Sequence, residues 1–231
     1  MSEIADAFVT ALKLIFTGDA EVLSITARTM AISGSSTLIG ALIFIPLGSL
    51  IYFHDFRGKR ILVNLIQTLF TLPTVFVGLL VFITFSRAGP LGALGILFTP
   101  TAMIIGQAIL IAPIITGLTI SALSGVSPEI RETAVSLGAT RFQTIGMILR
   151  EARYAVVAAL LLGFGRAFSE VGCAIMVGGN IRGFTRVLTT AMALEASEGN
   201  IELAMALGII LLALALIVSV LASRLQQRWV R

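Results

Sequence analysis

The sequence predicts an all-α membrane protein with five transmembrane helices, and three observations carry that expectation. Of 231 residues, 57% are hydrophobic and only 12% are charged, about half the ~25% charge content of ordinary soluble domains. The mean hydropathy is +1.03. The runs 29–53, 61–86, 88–128 and 203–223 contain no charged residue at all, and each reaches the ~20 residues a helix needs to cross ~30 Å of hydrocarbon. The alternating pattern of a membrane β-barrel is absent. A soluble fold of this length could not bury so much apolar surface.

The elements follow in chain order. Residues 1–20 include Glu3, Asp6 and Asp19 and have no basic start ahead of an apolar block, so no cleavable signal is expected. Ile4, Phe8, Leu12 and Ile15 fall at helical spacing, which suggests an amphipathic helix on the bilayer surface, with a flexible tail as the alternative. Spans are expected near 29–53 and 61–86. The run 88–128 is too long for one straight helix and carries Pro90, Pro100 and Pro113. Its span is placed near 101–124, behind an irregular lead-in at 88–100. The fourth span, 154–177, is apolar except for Arg166 and Glu170, and the fifth runs over 201–223. Pro46, Pro73 and Pro113 lie within spans and permit kinks. The whole chain, 1–231, reads as one domain.

Several chemistries are excluded. The single Cys173 lies inside a span, so it supplies neither an intrachain disulfide nor a cysteine metal site. His54 has no second histidine with which to bind a metal. The net charge of +4 is spread over short loops without aromatic interleaving, so nucleic acid is not an expected partner. Basic residues instead orient the chain. The segments 54–60, 125–153 and 224–231 share one side and hold ten Lys or Arg, including Arg57, Lys59, Arg60, Arg131, Arg141, Arg228 and Arg231. The opposite side holds five: Lys13, Arg28, Arg87, Arg182 and Arg186. This bias places the N-terminus outside and the C-terminus in the cytoplasm.

One stretch on the cytoplasmic side breaks the apolar pattern. Ser127, Pro128 and Glu129 supply a cap, a proline at the first helical position and an acid against the helix N-terminus. Ile130, Ala134 and Leu137 then share a face. Gly138 supplies a stop. Thr140 and Gln143 form a T-x-x-Q capping box for a second helix, with Phe142, Ile145 and Leu149 as its apolar stripe. Residues 127–150 therefore read as two short amphipathic helices joined at a glycine. Local physics leaves two roles open: a connector lying on the membrane, or a docking site for a cytoplasmic partner.

"ETAVSLG", followed nine residues later by Ile148, resembles the EAA loop of permease subunits in ATP-binding-cassette importers. Glu132, Ala134, Gly138 and Ile148 match in register, while Thr133 replaces the middle alanine and Arg150-Glu151 stand where Leu-Pro is usual. "TLPTVFVGLL" (71–80) and "GRAFSEVGCAIMVGGNIRGFTRVLTTAMALEASEG" (165–199) are similar to the membrane subunit of tungstate importers, relatives of molybdate and sulfate permeases. This similarity runs from "ALKLIFTGDAEVLSITARTMAIS" to the last span.

The resemblance implies a type I importer permease (MetI-like) fold and a homodimer around one pathway. It also implies two cytoplasmic ATPase subunits below, an extracytoplasmic oxyanion-binding protein above, and the inner membrane of a prokaryote as the location. The cargo it implies is tungstate, with molybdate or sulfate as alternatives. No G-x-x-x-x-G-K-[ST] phosphate loop occurs, so ATP and Mg belong to the partner and no cofactor or catalytic residue is expected here. The segment with Glu132, Ala134, Gly138, Ala139, Thr140 and Ile148 is expected to couple to the ATPase.

Arg166 and Glu170, four apart on one helix face, admit two roles: an attractive charge for a tetrahedral dianion, or a neutralised pair that locks the span. Pro73 and Pro113 either bend the helices along the pathway or simply kink them. Gly178, Gly179 and Asn180 offer either oxyanion donors or a tight turn. Thr185, Thr189 and Thr190 are candidates for an outer gate. A gradient-driven transporter or channel is the rival from another class. It would need an acidic or polar relay across the spans, for which only Glu170 could serve, and that residue is paired with Arg166 by spacing.

Overall fold

The structure, a computed structural model, describes the backbone of residues 2–228 and the side chains of residues 5, 6, 8–220 and 224. Ile4, Arg228 and Arg231, used above, have side chains outside the described residues. The described chain is helical with no strands: α1 Ser2–Thr17, α2 Ala20–Phe53, α3 Lys59–Thr68, α4 Thr74–Phe85, α5 Pro100–Ser124, α6 Pro128–Ser136, α7 Arg141–Glu151, α8 Arg153–Phe168, α9 Gly172–Gly178, α10 Leu188–Ser197 and α11 Ile201–Arg228. α2, α5 and α11 are each long and apolar enough to cross a membrane, and the count is five when each of two bent helix pairs is taken as one span.

α5 is the central helix. In its most apolar window 67% of the residues are buried, against 28% for α2 and 22% for α11. It packs on α2, α8 and α9. Close approach is made possible by small residues. A Cβ at Gly48 of α2 would lie 2.8 Å from the Thr116 carbonyl oxygen, and one at Gly106 of α5 would lie 2.6 Å from Cys173 Sγ. The outer faces of α2 and α11 present Leu38, Leu42, Leu212 and Leu216, all more than half exposed. A band of that kind belongs against lipid rather than water.

Two expected spans are broken. Residues 61–86 form α3, a short 3₁₀ turn Leu69–Thr71 and α4, bent by 98°. Pro73, expected inside a span, stands at this break as the extended residue before α4, with φ −63° and ψ 122°. Proline has no N–H to continue a helix and pushes the preceding residue out of the helical region, so the chain turns there. Residues 154–177 form α8 and α9, bent by 60° across Ser169–Val171. Pro46 and Pro113 remain inside α2 and α5.

The other helix limits differ less. α2 begins at Ala20 rather than near 29, because Asp19 caps it by accepting the Val22 N–H at 2.9 Å. α5 begins at Pro100, behind an irregular segment with a 3₁₀ turn at Gly92–Leu94. α1 does not lie on a bilayer surface alone. It packs on α11 through the buried Ala11, and Thr10 Oγ1 donates to Glu202 at 2.5 Å. Phe8, Leu12, Ile15 and Phe16 stay exposed on its other face.

Basic residues mark both ends of α2. Arg28 and Glu21 of α2 meet the 181–187 loop at one end, whereas Lys59 and the α6–α7 pair border a common cavity at the other. α2 spans about 51 Å between them.

Candidate functional site

The 127–150 segment is held as a rigid elbow. Ser127 occupies the cap position of α6 but makes no capping hydrogen bond, so the start rests on Pro128 and Glu129. At the other end Gly138 adopts φ +80°. Its N–H donates to the Val135 carbonyl at 3.0 Å and the Ala139 N–H to the Ala134 carbonyl at 2.9 Å, the two bonds of a Schellman stop. The next residue opens α7. The Thr140 N–H donates to Gln143 Oε1 at 2.7 Å, and the Gln143 N–H returns to Thr140 Oγ1 at 3.4 Å, which is the capping box. Stop and start therefore meet at Ala139–Thr140 with no slack between them.

Only part of the expected stripe is buried. Ala134 and Ile148 are 1% and 3% exposed, and Ile148 packs with Leu123 of α5, Ala152, Tyr52 and Phe53. Thr144 is also buried, whereas Ile145 and Leu149 are half-buried. Leu137 and Phe142, each placed on the apolar face of its helix, are 81% and 86% exposed. Helical spacing placed them on an apolar face, but α6 and α7 each pack through a single row, and these two residues project from the elbow. Glu132 is exposed and Ala139 half-buried. The elbow thus presents Val135, Leu137 and Phe142 outward while Ile148 ties it to α5.

About 20 Å along α8 from its start, Arg166 Nη1 lies 2.9 Å from Glu170 Oε2. The Glu170 side chain is 1% exposed and that of Arg166 32%. Glu170 Oε1 also accepts the Cys173 N–H at 2.9 Å, and its carbonyl accepts from Thr189 Oγ1 at 2.8 Å. The carboxylate therefore caps α9 and bridges the bend back to α8.

The 178–190 region is held by several hydrogen bonds, although Asn180 Oδ1 and Arg186 Nε are buried without a partner among the described residues. Gly179 (φ +69°) ends α9, and Asn180 follows at φ +49°. A Cβ at Gly179 would come within 2.9 Å of Phe98 Cδ1. Thr185 Oγ1 accepts the Ile181 N–H at 2.9 Å and donates to the Gly178 carbonyl at 2.6 Å. Thr190 Oγ1 accepts the Val187 N–H at 3.1 Å. Thr185, Thr189 and Thr190, read as candidates for an outer gate, are all buried, at most 1% exposed. Gly178, Gly179 and Asn180 form a tight turn.

The sequence reading missed two features. Gln107 of α5 is buried and accepts from Ser36 Oγ at 3.0 Å, joining α5 to α2; a lone amide in an apolar run was its signal. Arg28 donates to the carbonyls of Arg186 and Gly183, both at 2.9 Å. Beside it Arg182 pairs with Glu21, and that hydrogen bond raises the guanidinium above its ordinary range. Only the folded chain brings α2 to this loop.

Among the described residues, no group of three or more His, Cys, Asp or Glu could hold a metal. The broken helix pairs and the central α5 define a multi-pass membrane protein with a polar elbow at one end. The chain belongs to the family of binding-protein-dependent transport system inner membrane components, whose model matches residues 22–231. It is 43% identical over 212 residues to a probable anion ABC transporter permease protein of Haloferax volcanii, covering 90% of this chain and 91% of that one. It is 40% identical over 227 residues to the tungstate uptake system permease protein TupB of Peptoclostridium acidaminophilum, covering 98% and 100%. The fold is similar to that of the MetNI methionine ABC transporter in an inward-facing conformation (TM-score 0.71, 20% identity, 87% and 92% covered). It is also similar to a bacterial ABC transporter that imports alginate (TM-score 0.74, 21% identity, 96% and 83% covered). The expected MetI-like fold is the observed one.

Proposed function

We propose that this chain is the permease subunit of an ATP-driven tungstate importer in a prokaryotic cytoplasmic membrane. The observation that carries the cargo is the similarity to a tungstate permease over 98% of this chain. Two copies form the pathway, with the N-terminus outside. An extracytoplasmic binding protein delivers the oxyanion, and two cytoplasmic ATPases bind ATP and Mg. Glu132, Ala134, Gly138, Ala139, Thr140 and Ile148 form the coupling segment. The exposed Leu137 and Phe142 enter the ATPase, while Ile148 carries displacement into Leu123 of α5. A rigid elbow supports this role, because a flexible connector would absorb the motion it has to transmit.

Along the pathway Pro73 marks the α3–α4 break, Pro113 interrupts α5, and Gly178, Gly179 and Asn180 close α9. Arg166, one-third exposed, offers residual positive potential to a passing dianion. Its ion pair with Glu170 keeps that attraction weak, and weak binding permits release. Sulfate is less favoured, since a sulfate permease relative is 30% identical over only 77% of this chain.

The test is elemental analysis of cells lacking the gene, with and without its restoration, fed trace tungstate, molybdate and sulfate together. Restored tungsten alone is expected. Restored molybdenum or sulfur without tungsten refutes the cargo assignment.

A further inference from the structure

On the side of the elbow that faces the end of α2 lies a cavity of about 720 Å³, lined in part by His54, Lys59, Arg131 and Arg141. Two of these side chains are already engaged. Lys59 Nζ lies 3.0 Å from Asp55 and donates to the Tyr52 carbonyl at 2.7 Å, and His54 Nδ1 lies 3.1 Å from the Leu50 carbonyl. Arg131 and Arg141 have no carboxylate within 4.0 Å among the described residues. Arg141 is also the first residue of α7, where the helix dipole adds to the positive potential.

A second cavity of about 690 Å³ shares Tyr52, Asp55 and Lys59 with the first and continues between Phe56, Ile61 and Ile120. The groove is open because α3 buries none of its side chains; Ile61 is 75% exposed. Unpaired guanidinium charge thus adjoins an apolar groove at the end of the membrane spans, beside a tyrosine of the kind enriched at membrane interfaces. An inorganic anion would occupy a small part of the first cavity and none of the second. A soluble acidic peptide would leave the groove bare. A phosphodiester carrying acyl chains matches both.

We infer that Arg131 and Arg141 together with the α3–α5 groove bind one anionic phospholipid, its phosphate between the two guanidiniums. Its hydrocarbon lies along Ile61 and Ile120. The bound lipid braces the coupling elbow against the end of α2, since Ala139 and Ile148 line the same cavity. The inference rests on the cytoplasmic placement of this end proposed above, where basic pockets between spans take anionic headgroups.

The test uses the purified full-length chain in detergent, incubated with phosphatidylglycerol or phosphatidylcholine, with bound lipid counted by native mass spectrometry. Phosphatidylglycerol is expected to bind in preference. R131Q/R141Q should weaken it about thirtyfold, as removal of two surface charges implies, while R131K/R141K retains it and phosphatidylcholine binding is unchanged. Should the glutamine variant misfold, Ile61→Asp on the exposed wall of the groove carries the test, with about a tenfold loss expected. Equal phosphatidylglycerol binding by the wild type and these variants overturns the inference. So does loss of ATPase capture by R131Q/R141Q with lipid binding intact, which would assign the cavity to an acidic ATPase segment. Lipid binding by the isolated chain is read without ATP or uptake, so its failure and failure of the coupling proposal are separate results.

Discussion

Arg166 and Glu170 join the two halves of a broken helix: the guanidinium ends α8, the carboxylate caps α9, and 2.9 Å separates them across a 60° bend. The pair is asymmetric. Glu170 is buried and Arg166 is partly open, so each residue fails differently when its partner is removed.

Arg166→Ala leaves a buried carboxylate without its counter-charge and should destabilise the chain by about 3 kcal/mol. Arg166→Met/Glu170→Leu should recover most of that loss, because no charge is then stranded. Thermal unfolding of the purified chain in detergent checks both. If Arg166→Ala melts with the wild type but abolishes uptake, the pair acts on the cargo rather than on the fold.

Gly138 has open space around it and a backbone at φ +80°. Gly138→Val should therefore strain the elbow by about 1–2 kcal/mol without a clash. Insertion is expected to be normal and ATPase capture reduced, whereas Gly138→Asn should be tolerated because asparagine enters this region more readily. Pull-down of the ATPase subunit from membranes reads the difference. Equal capture by all three forms would remove the elbow from coupling.

Phe142→Asp and Leu137→Asp alter side chains that are 86% and 81% exposed. Chain stability should shift by less than about 0.5 kcal/mol. ATPase affinity should fall about thirtyfold if these are anchors of the interface. Normal affinity in both variants would place the interface elsewhere.

Gly48→Ala puts a methyl 2.8 Å from the Thr116 carbonyl oxygen and forces α2 away from α5. A cost of about 1–3 kcal/mol is expected for such overpacking. Gly34→Ala, with nothing within 4 Å, provides the control in the same helix. A matched pair of melting curves decides the point.

Arg28→Ala should cost more than Arg182→Ala. Arg28 satisfies the carbonyls of Gly183 and Arg186, whereas the Arg182–Glu21 pair is exposed to solvent and screened. Proteolysis of the 181–187 loop in intact vesicles measures the order, and the reverse order would contradict this account of how the loop is held.

Much of the 127–150 elbow was legible in the sequence because its signals are local. Thr140 and Gln143 are three residues apart and cap each other, and Gly138 ends its helix through its own backbone. The face of Leu137 and Phe142 was not legible. Helical spacing identifies a stripe, but which row of it packs depends on where Leu123 and Tyr52 arrive from other helices. The burial of the outer threonines was hidden for a related reason: Thr185 and Thr189 donate to carbonyls that Gly178 and Glu170 supply only in the folded chain.

The sequence by itself determined that this chain lives in a membrane and carries a capped polar elbow between charge-free runs. Hydropathy summed over a window and short-range capping need no distant partner. The tertiary structure alone decided that two of the runs are broken helices and that Gly48 and Gly106 bring helices into contact. It also decided that the two ends of the helical core are organised around Arg28 and Ile148. These properties belong to pairs of residues far apart in the chain, and only packing around α5 brings them together.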